Sequence, residues 1–172
     1  MDATTITITR ATLDDLPVIV DLCMSVEAQH EGYWPLRWKT RPGIREGYLH
    51  WLTKRIDEPR MLILAAKING APEGNPVGTL LATIETEIPI YTYTEYAFIH
   101  DMAVAQGYRR RGIAKMLLGH ARDWTRQMGL NQLRLMVAEQ NHEARVTFDH
   151  FGFRKTYQEM VLAIDEEGHR KP

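Results

Sequence analysis

The sequence has little cysteine, no excess of charge of either sign and no long apolar run. Its single cysteine, Cys23, excludes an intrachain disulfide and a cysteine-cluster metal site. The formal net charge is −1, so no overall field favours nucleic acid or a membrane surface as a partner. No apolar stretch reaches the ~18 residues of a membrane span, and the first five residues lack the features of a signal peptide. We therefore expect a soluble, cytoplasmic protein.

What is there is the composition of an ordinary globular domain, with 44% hydrophobic and 25% charged residues. A chain of 172 residues holds one domain with a substantial core and is too short for two ordinary ones. We expect a single domain over residues 1–165 and a polar C-terminal tail over residues 166–172.

Apolar periodicity predicts the order of elements. Strands are predicted at residues 6–9, 61–68, 77–87, 96–104 and 133–138, with one or two more within residues 153–164. Helices are predicted after Thr12 and over residues 44–56, 113–129 and 141–151, with an irregular loop at 30–42 and a turn at 69–76. This order indicates an α/β or α+β domain whose mixed, mostly antiparallel sheet has six to seven strands and about four flanking helices.

The most informative segment is a basic turn that joins a predicted strand to a predicted helix. Backbone N–H groups at a helix start, together with the positive end of the helix dipole, favour a phosphate group. A glycine in such a turn leaves room for a ligand to approach the backbone. The alternative is a solvated basic turn whose glycine packs against a helix. The residues of this turn are Arg109, Arg110, Arg111, Gly112, Ile113 and Ala114.

Residues 99–114 resemble the central motif of the GNAT superfamily of N-acetyltransferases. That signature is Arg or Gln, two variable residues, Gly, one variable residue, then Gly or Ala, and it is filled here by Arg109, Gly112 and Ala114. Further along the chain, a second set of residues resembles another motif of this family. These residues are Asn141, Ala144, Phe148 and Gly152-Phe153. Because the length and the element order also fit, the resemblance covers nearly the whole chain.

The resemblance implies acetyl-CoA as cofactor and direct transfer of its acetyl group to the primary amine of a small molecule or amino-acid-like metabolite. It implies that the pyrophosphate lies on the backbone of the basic turn and that the pantetheine arm pairs with the preceding strand. The further residues implied to contact the cofactor are Met102, Ala103, Val104, Asn141, Ala144 and Phe148. A plain helix N-cap is the alternative role for Asn141.

Phe148 stands where the family usually has a general-acid tyrosine. Either the thiolate leaves without help from this position, another group such as Tyr157 substitutes, or catalysis is weak. His100 is the preferred general base, predicted on the strand face of Phe98 and Met102, whereas Asp101 is predicted to point to the opposite face with a structural role. A packed, hydrogen-bonded histidine is the alternative for His100.

Carboxylates beside aromatic rings in the first predicted helix and loop suit a cationic amine. The predicted acceptor residues are Glu27, His30, Glu31 and Trp34, and the alternative is that the rings pack under the loop while the acids are solvated. The other histidines form no ligand cluster, so no metal is expected.

Two further functions stay open, a protein N-terminal or lysine acetyltransferase and a non-catalytic acyl-CoA-binding domain. The family resemblance also makes a homodimer a reasonable expectation.

Overall fold

The computed structural model describes residues 5–68, 74–162 and 164. The predicted tail lies outside the described residues, as does most of the turn predicted at residues 69–76. One sheet has the order β1-β2-β3-β4-β5, antiparallel from β1 to β4 and parallel between β4 and β5. The strands are β1 (Ile6–Arg10), β2 (Met61–Ile68), β3 (Gly78–Thr86), β4 (Glu95–Val104) and β5 (Leu133–Leu135).

Five helices surround this sheet, namely α1 (Leu16–Tyr33), α2 (Pro35–Trp38), α3 (Ile44–Arg55), α4 (Ile113–Gln127) and α5 (His142–Phe151). A turn of 3₁₀ helix precedes α1, where the Asp15 carboxylate accepts hydrogen bonds from the backbone N–H and the hydroxyl of Thr12, both at 2.9 Å. The irregular loop predicted at residues 30–42 is wrong in its first part. There α1 continues to Tyr33 and α2 follows, because Pro35 suits the first turn of a helix.

The hydrophobic core has one layer on each face of the sheet. Leu16, Ile19 and Cys23 of α1 pack with Leu52 of α3 on one face, and α4 and α5 pack on the other. Alternate residues of β2 belong to the two layers, which is why its apolar run is unbroken. The mixed, mostly antiparallel sheet is confirmed, but among the described residues it has five strands rather than six or seven.

The missing strands are those predicted within residues 153–164. Residues 153–162 form no strand, and four of their large apolar side chains are exposed: Tyr157 by 80%, Met160 by 87%, Val161 by 44% and Leu162 by 60%. An ion pair of 3.1 Å between Arg37 and Glu159 links this segment to α2. Apolar alternation is a local signal, whereas a strand also needs a sheet edge to pair with, and the neighbouring edge strand β5 is only 3 residues long.

Candidate functional site

An extra residue in β4 decides which side chains meet. Leu81 of β3 lies opposite Asp101, and the next residue, Ala82, lies opposite Ile99, so His100 is the additional residue of a β-bulge. His100 and Asp101 therefore line one cavity on the α1–α3 face of the sheet, whereas Met102 packs in the layer of α4. The predictions that Met102 shares the face of His100 and that Asp101 points away from it are both wrong, because they assumed unbroken alternation.

The edge of β4 that faces β5 is open over its second half. The two strands pair only from Ala97 to Ile99, so Met102, Ala103 and Val104 have no strand partner on that side among the described residues. An open strand edge can take an extended ligand through main-chain hydrogen bonds. The carbonyl oxygen of Val104 accepts a hydrogen bond of 3.1 Å from Nε of Arg109.

The basic turn begins α4 with a glycine in the left-handed region. Gly112 is the N-cap residue, with φ +82, and no side chain accepts a hydrogen bond from the first N–H groups of the 15-residue helix. Those N–H groups and the helix dipole are directed toward the turn. The side chain of Ile113 is buried and that of Ala114 is small, so the polar groups that these two residues present at the turn are their backbone N–H groups. A turn with these features favours an anion over a cation.

The three arginines of the turn are used differently. Arg109 donates to the carbonyl of Val104 and, at 3.2 Å, to the carboxylate of Glu143, which joins the end of β4 to the start of α5. Arg111 donates to the carbonyl of Gly107 at 3.3 Å. Arg110 forms no ion pair with any described residue. Arg111 also forms no ion pair with a described residue and lies over the ring of Tyr108, so Arg109 is the arginine of the turn that pairs with a carboxylate.

The second motif forms the start and one face of α5. Oδ1 of Asn141 accepts a hydrogen bond of 3.2 Å from the backbone N–H of Ala144, so the N-cap role of Asn141 is observed. Phe148 is 8% exposed, and its ring centroid lies 5.7 Å from that of Phe153. Phe148 has no hydroxyl group to contribute at this face of α5. The side chain of Tyr157, which does carry a hydroxyl, is exposed.

A cavity of about 450 Å³ lies between α1, α3 and the segment that connects α2 to α3. A smaller cavity of about 180 Å³ adjoins it, and Tyr48 and Asp101 line both. His100 lines the smaller one, beside Trp51 of α3. The larger cavity is lined by Met24, Glu27, Lys39, Thr40, Arg41, Ile44, Tyr48 and Asp101. Asp101 therefore stands where the cavities meet, one residue before the open edge of β4.

The two acidic side chains of this cavity, Asp101 and Glu27, have raised pKa values. Burial raises the pKa of Asp101, although the 2.5 Å hydrogen bond from the Tyr48 hydroxyl and the nearby histidines oppose the rise. Burial and the charge of Asp101 raise the pKa of Glu27. Burial lowers the pKa of His30, against the pull of Asp101. A bound ammonium group would favour the charged form of both carboxylates.

His100 is held by its neighbours on β3. The hydroxyl of Thr83 donates to the carboxylate of Glu85, and the Thr83 oxygen lies 2.6 Å from Nε2 of His100. Since a hydroxyl has one hydrogen to give, Nε2 carries the hydrogen in this arrangement and Nδ1 is the acceptor in the neutral ring. The His100 side chain is 41% exposed, so a proton taken up there can pass to water.

The predicted acceptor residues are only partly brought together. Glu27 lines the larger cavity, and Glu31 accepts a hydrogen bond of 3.3 Å from Thr40 on its wall. The ring of His30 lies 5.6 Å from that of Trp38. Trp34 caps the end of α1 and is not part of the cavity lining. The polar lining residues that sequence reasoning missed are Lys39, Thr40, Arg41, Tyr48 and Asp101.

Two kinds of site are not found in the described part of the chain. Over residues 5–68, 74–162 and 164, no three His, Cys, Asp or Glu side chains are grouped to hold a metal ion. Within the same residues, no helix is both long and apolar enough to cross a membrane.

The family model described as "Acetyltransferase (GNAT) family" matches residues 23–153, which include the cavity, the open strand edge, the basic turn and α5. The chain belongs to this family. The resemblance stated from the two motifs is thereby confirmed. A curated relative, the uncharacterized N-acetyltransferase YycN of Bacillus subtilis strain 168, is 31% identical over 105 residues. That match spans 61% of this chain and 63% of the length of the relative.

Solved GNAT structures share the fold. The crystal structure of a predicted acetyltransferase with acetyl-CoA from Clostridium acetobutylicum has a TM-score of 0.72 at 15% identity, over 93% of this chain and 97% of its own. The structure of an aminoglycoside 6′-N-acetyltransferase from Acinetobacter haemolyticus has a TM-score of 0.66 at 20% identity, over 91% of this chain and 97% of its own. At such identities these similarities establish the fold alone.

Proposed function

We propose that this GNAT protein is an acetyl-CoA-dependent N-acetyltransferase that acts on the primary amine of a small molecule. The observation that carries the proposal is the junction at β4. There the bulge residues His100 and Asp101 line a cavity, and the residues that follow form an open strand edge leading to the anion-binding turn. Supporting the choice of cofactor, a structure with acetyl-CoA is known for a protein of the same fold.

The donor side has the groups that coenzyme A requires. The backbone of residues 109–114 would hold the pyrophosphate, and the edge from Met102 to Val104 would pair with the pantetheine arm. When bound, acetyl-CoA supplies a thioester as the acetyl donor. Backbone N–H groups on the same edge would donate hydrogen bonds to the carbonyl oxygen as it gains charge.

The acceptor side has groups that bind a cation and remove its proton. An alkyl ammonium has an ordinary pKa of about 10.4, so it must lose a proton before its nitrogen can attack. Asp101 and Glu27 would attract the ammonium group, and Nδ1 of His100 would accept the proton and pass it to water. The new C–N bond replaces the C–S bond. The nitrogen would lose its second proton to solvent as the amide forms, and the thiolate would take up a proton from solvent, because Phe148 has none to give.

The size of the acceptor site favours a small molecule over a protein. A cavity of about 450 Å³ matches the size range of small-molecule sites. The alternative of a lysine or N-terminal acceptor in a protein needs an open groove beside the thioester.

The cytoplasmic location stays a prediction. The exposed apolar side chains of Tyr157, Met160, Leu162 and Ile164 support the expected homodimer, and light scattering of the purified chain would show one subunit if it is wrong.

The test is release of free coenzyme A thiol from acetyl-CoA with a panel of small amines and peptides. Asp101→Asn should lower kcat/KM about 30-fold or more, the cost of removing one charge from a desolvated ion pair. Asp149→Asn makes the same change at an exposed position of α5 outside the cavities and should leave kcat/KM unchanged. The proposal would be contradicted if no amine in the panel released thiol. It would also be contradicted if Asp101→Asn and the wild type had equal kcat/KM.

A further inference from the structure

The larger cavity is lined by charges of both signs. Glu27 and Asp101 are partly buried in its wall, whereas Lys39 and Arg41 are exposed and lie on the segment between α2 and α3. Thr40 lies between the two cations and also lines the cavity. The negative wall is therefore the inner one, next to the bulge of β4, and the positive groups lie where the cavity meets solvent.

The two cations differ from the arginines on either side of them in having no carboxylate partner. Arg37 pairs with Glu159 at 3.1 Å, and Arg45 pairs with Asp21 at 2.6 Å. Among the described residues, no carboxylate forms an ion pair with Lys39 or Arg41. Their charges are thus available to a ligand that enters the cavity, and the flanking ion pairs fix the segment that carries them.

From this arrangement we propose that the acceptor carries a carboxylate as well as its amine, that is, it belongs to the amino acids and not to the simple amines or polyamines. The inference rests on the proposed function, because it takes Asp101 and Glu27 as the binding place of the ammonium group. Lys39 and Arg41 then bind the carboxylate at the mouth. Each contact is a charge-assisted hydrogen bond, which is about twice as strong as a neutral one.

The same charges act against a polycation. An aminoglycoside, the kind of substrate named for one protein of the same fold, carries several ammonium groups. With its first amine beside Asp101, the remaining ammonium groups would meet Lys39 and Arg41 at the mouth. Like charges placed together in an interface cost affinity, so the mouth selects against this class of acceptor.

The experiment compares matched acceptors. The purified chain is given acetyl-CoA and a panel of α-amino acids and ω-amino acids from β-alanine to 6-aminohexanoate. Each acid is tested beside its own carboxamide and beside diamines of similar length, and thiol release is followed. We expect at least one carboxylate to have a kcat/KM about tenfold or more above its carboxamide, the effect of one hydrogen bond to a charged group. Lys39→Met and Arg41→Met should each raise KM for the carboxylate about tenfold and raise KM for the carboxamide much less, because a neutral oxygen accepts a weaker hydrogen bond.

The control and the contrary outcomes separate the two proposals. Lys54→Met removes an exposed lysine of α3 outside the cavity and should change neither acceptor. The inference would be overturned if carboxamides or diamines were acetylated as fast as the carboxylates. It would also be overturned if Lys39→Met and Arg41→Met lowered kcat/KM equally for both kinds of acceptor. Neither result would contradict the acetyltransferase activity. Transfer to no amine at all would overturn the proposed function, and the inference with it.

Discussion

Changing Gly112 to aspartate should weaken the binding of coenzyme A through charge alone. At ~5 Å, two like unit charges repel by about 0.8 kcal/mol in water and about 3 kcal/mol at the effective dielectric constant of a protein surface. A pyrophosphate with two charges would then lose at least about 1.7 kcal/mol, or about 15-fold in Kd. A β-carbon at this position meets no atom within 4 Å, so a side chain fits there without a clash.

The matched variant is Gly112→Asn. Asparagine has nearly the shape of aspartate, and both tolerate the left-handed backbone that φ +82 requires. The two variants should therefore unfold at similar temperatures and differ only in charge. Calorimetric titration with coenzyme A should show the 15-fold gap at low salt and a smaller gap at ~0.5 M salt, where charges are screened. Equal affinity of the two variants would show that the pyrophosphate does not lie on this turn.

Two further variants test the packing and the charge of the site. Gly78→Ala should destabilise the fold by about 1–3 kcal/mol in urea unfolding, because its β-carbon would lie 3.1 Å from the carbonyl oxygen of Ala103, whereas Gly119→Ala meets nothing within 4 Å and should stabilise α4 by about 0.5–1 kcal/mol; the reverse order would contradict the packing described. Tyr48→Phe removes a hydrogen bond that lowers the pKa of Asp101, so that pKa rises and the acid limb of kcat/KM should move to higher pH; an unmoved limb in the pH–rate profile would show that Asp101 is not the titrating group.

The local structure of the proposed donor side could be predicted from the sequence because its signals are local. A basic turn with Gly112 before an amphipathic helix, and an Asn141 that caps the next helix, are patterns within a few residues of one another. The strand that precedes the turn was also predicted to within one residue at its start. The ion pair from Arg109 to Glu143 then brings the two motifs together in space.

The acceptor side could not be predicted in the same way because it depends on pairing and tertiary contacts. The bulge at His100 shifts the register of β4 against β3, and nothing in the alternation of β4 marks an extra residue. Unbroken alternation therefore places Asp101 on the wrong face. Tyr48 and Arg41 lie on elements whose contact with β4 follows only from the packing of α3 on the sheet.

A crystal structure of the chain with coenzyme A would test the proposed site most directly. The pyrophosphate should accept hydrogen bonds from the backbone N–H groups at the start of α4. The sulfur should lie beside the edge from Met102 to Val104 and open onto the cavity lined by Asp101. A pyrophosphate bound away from residues 109–114, or a sulfur separated from that cavity by the sheet, would contradict the transfer of acetyl groups proposed for this protein.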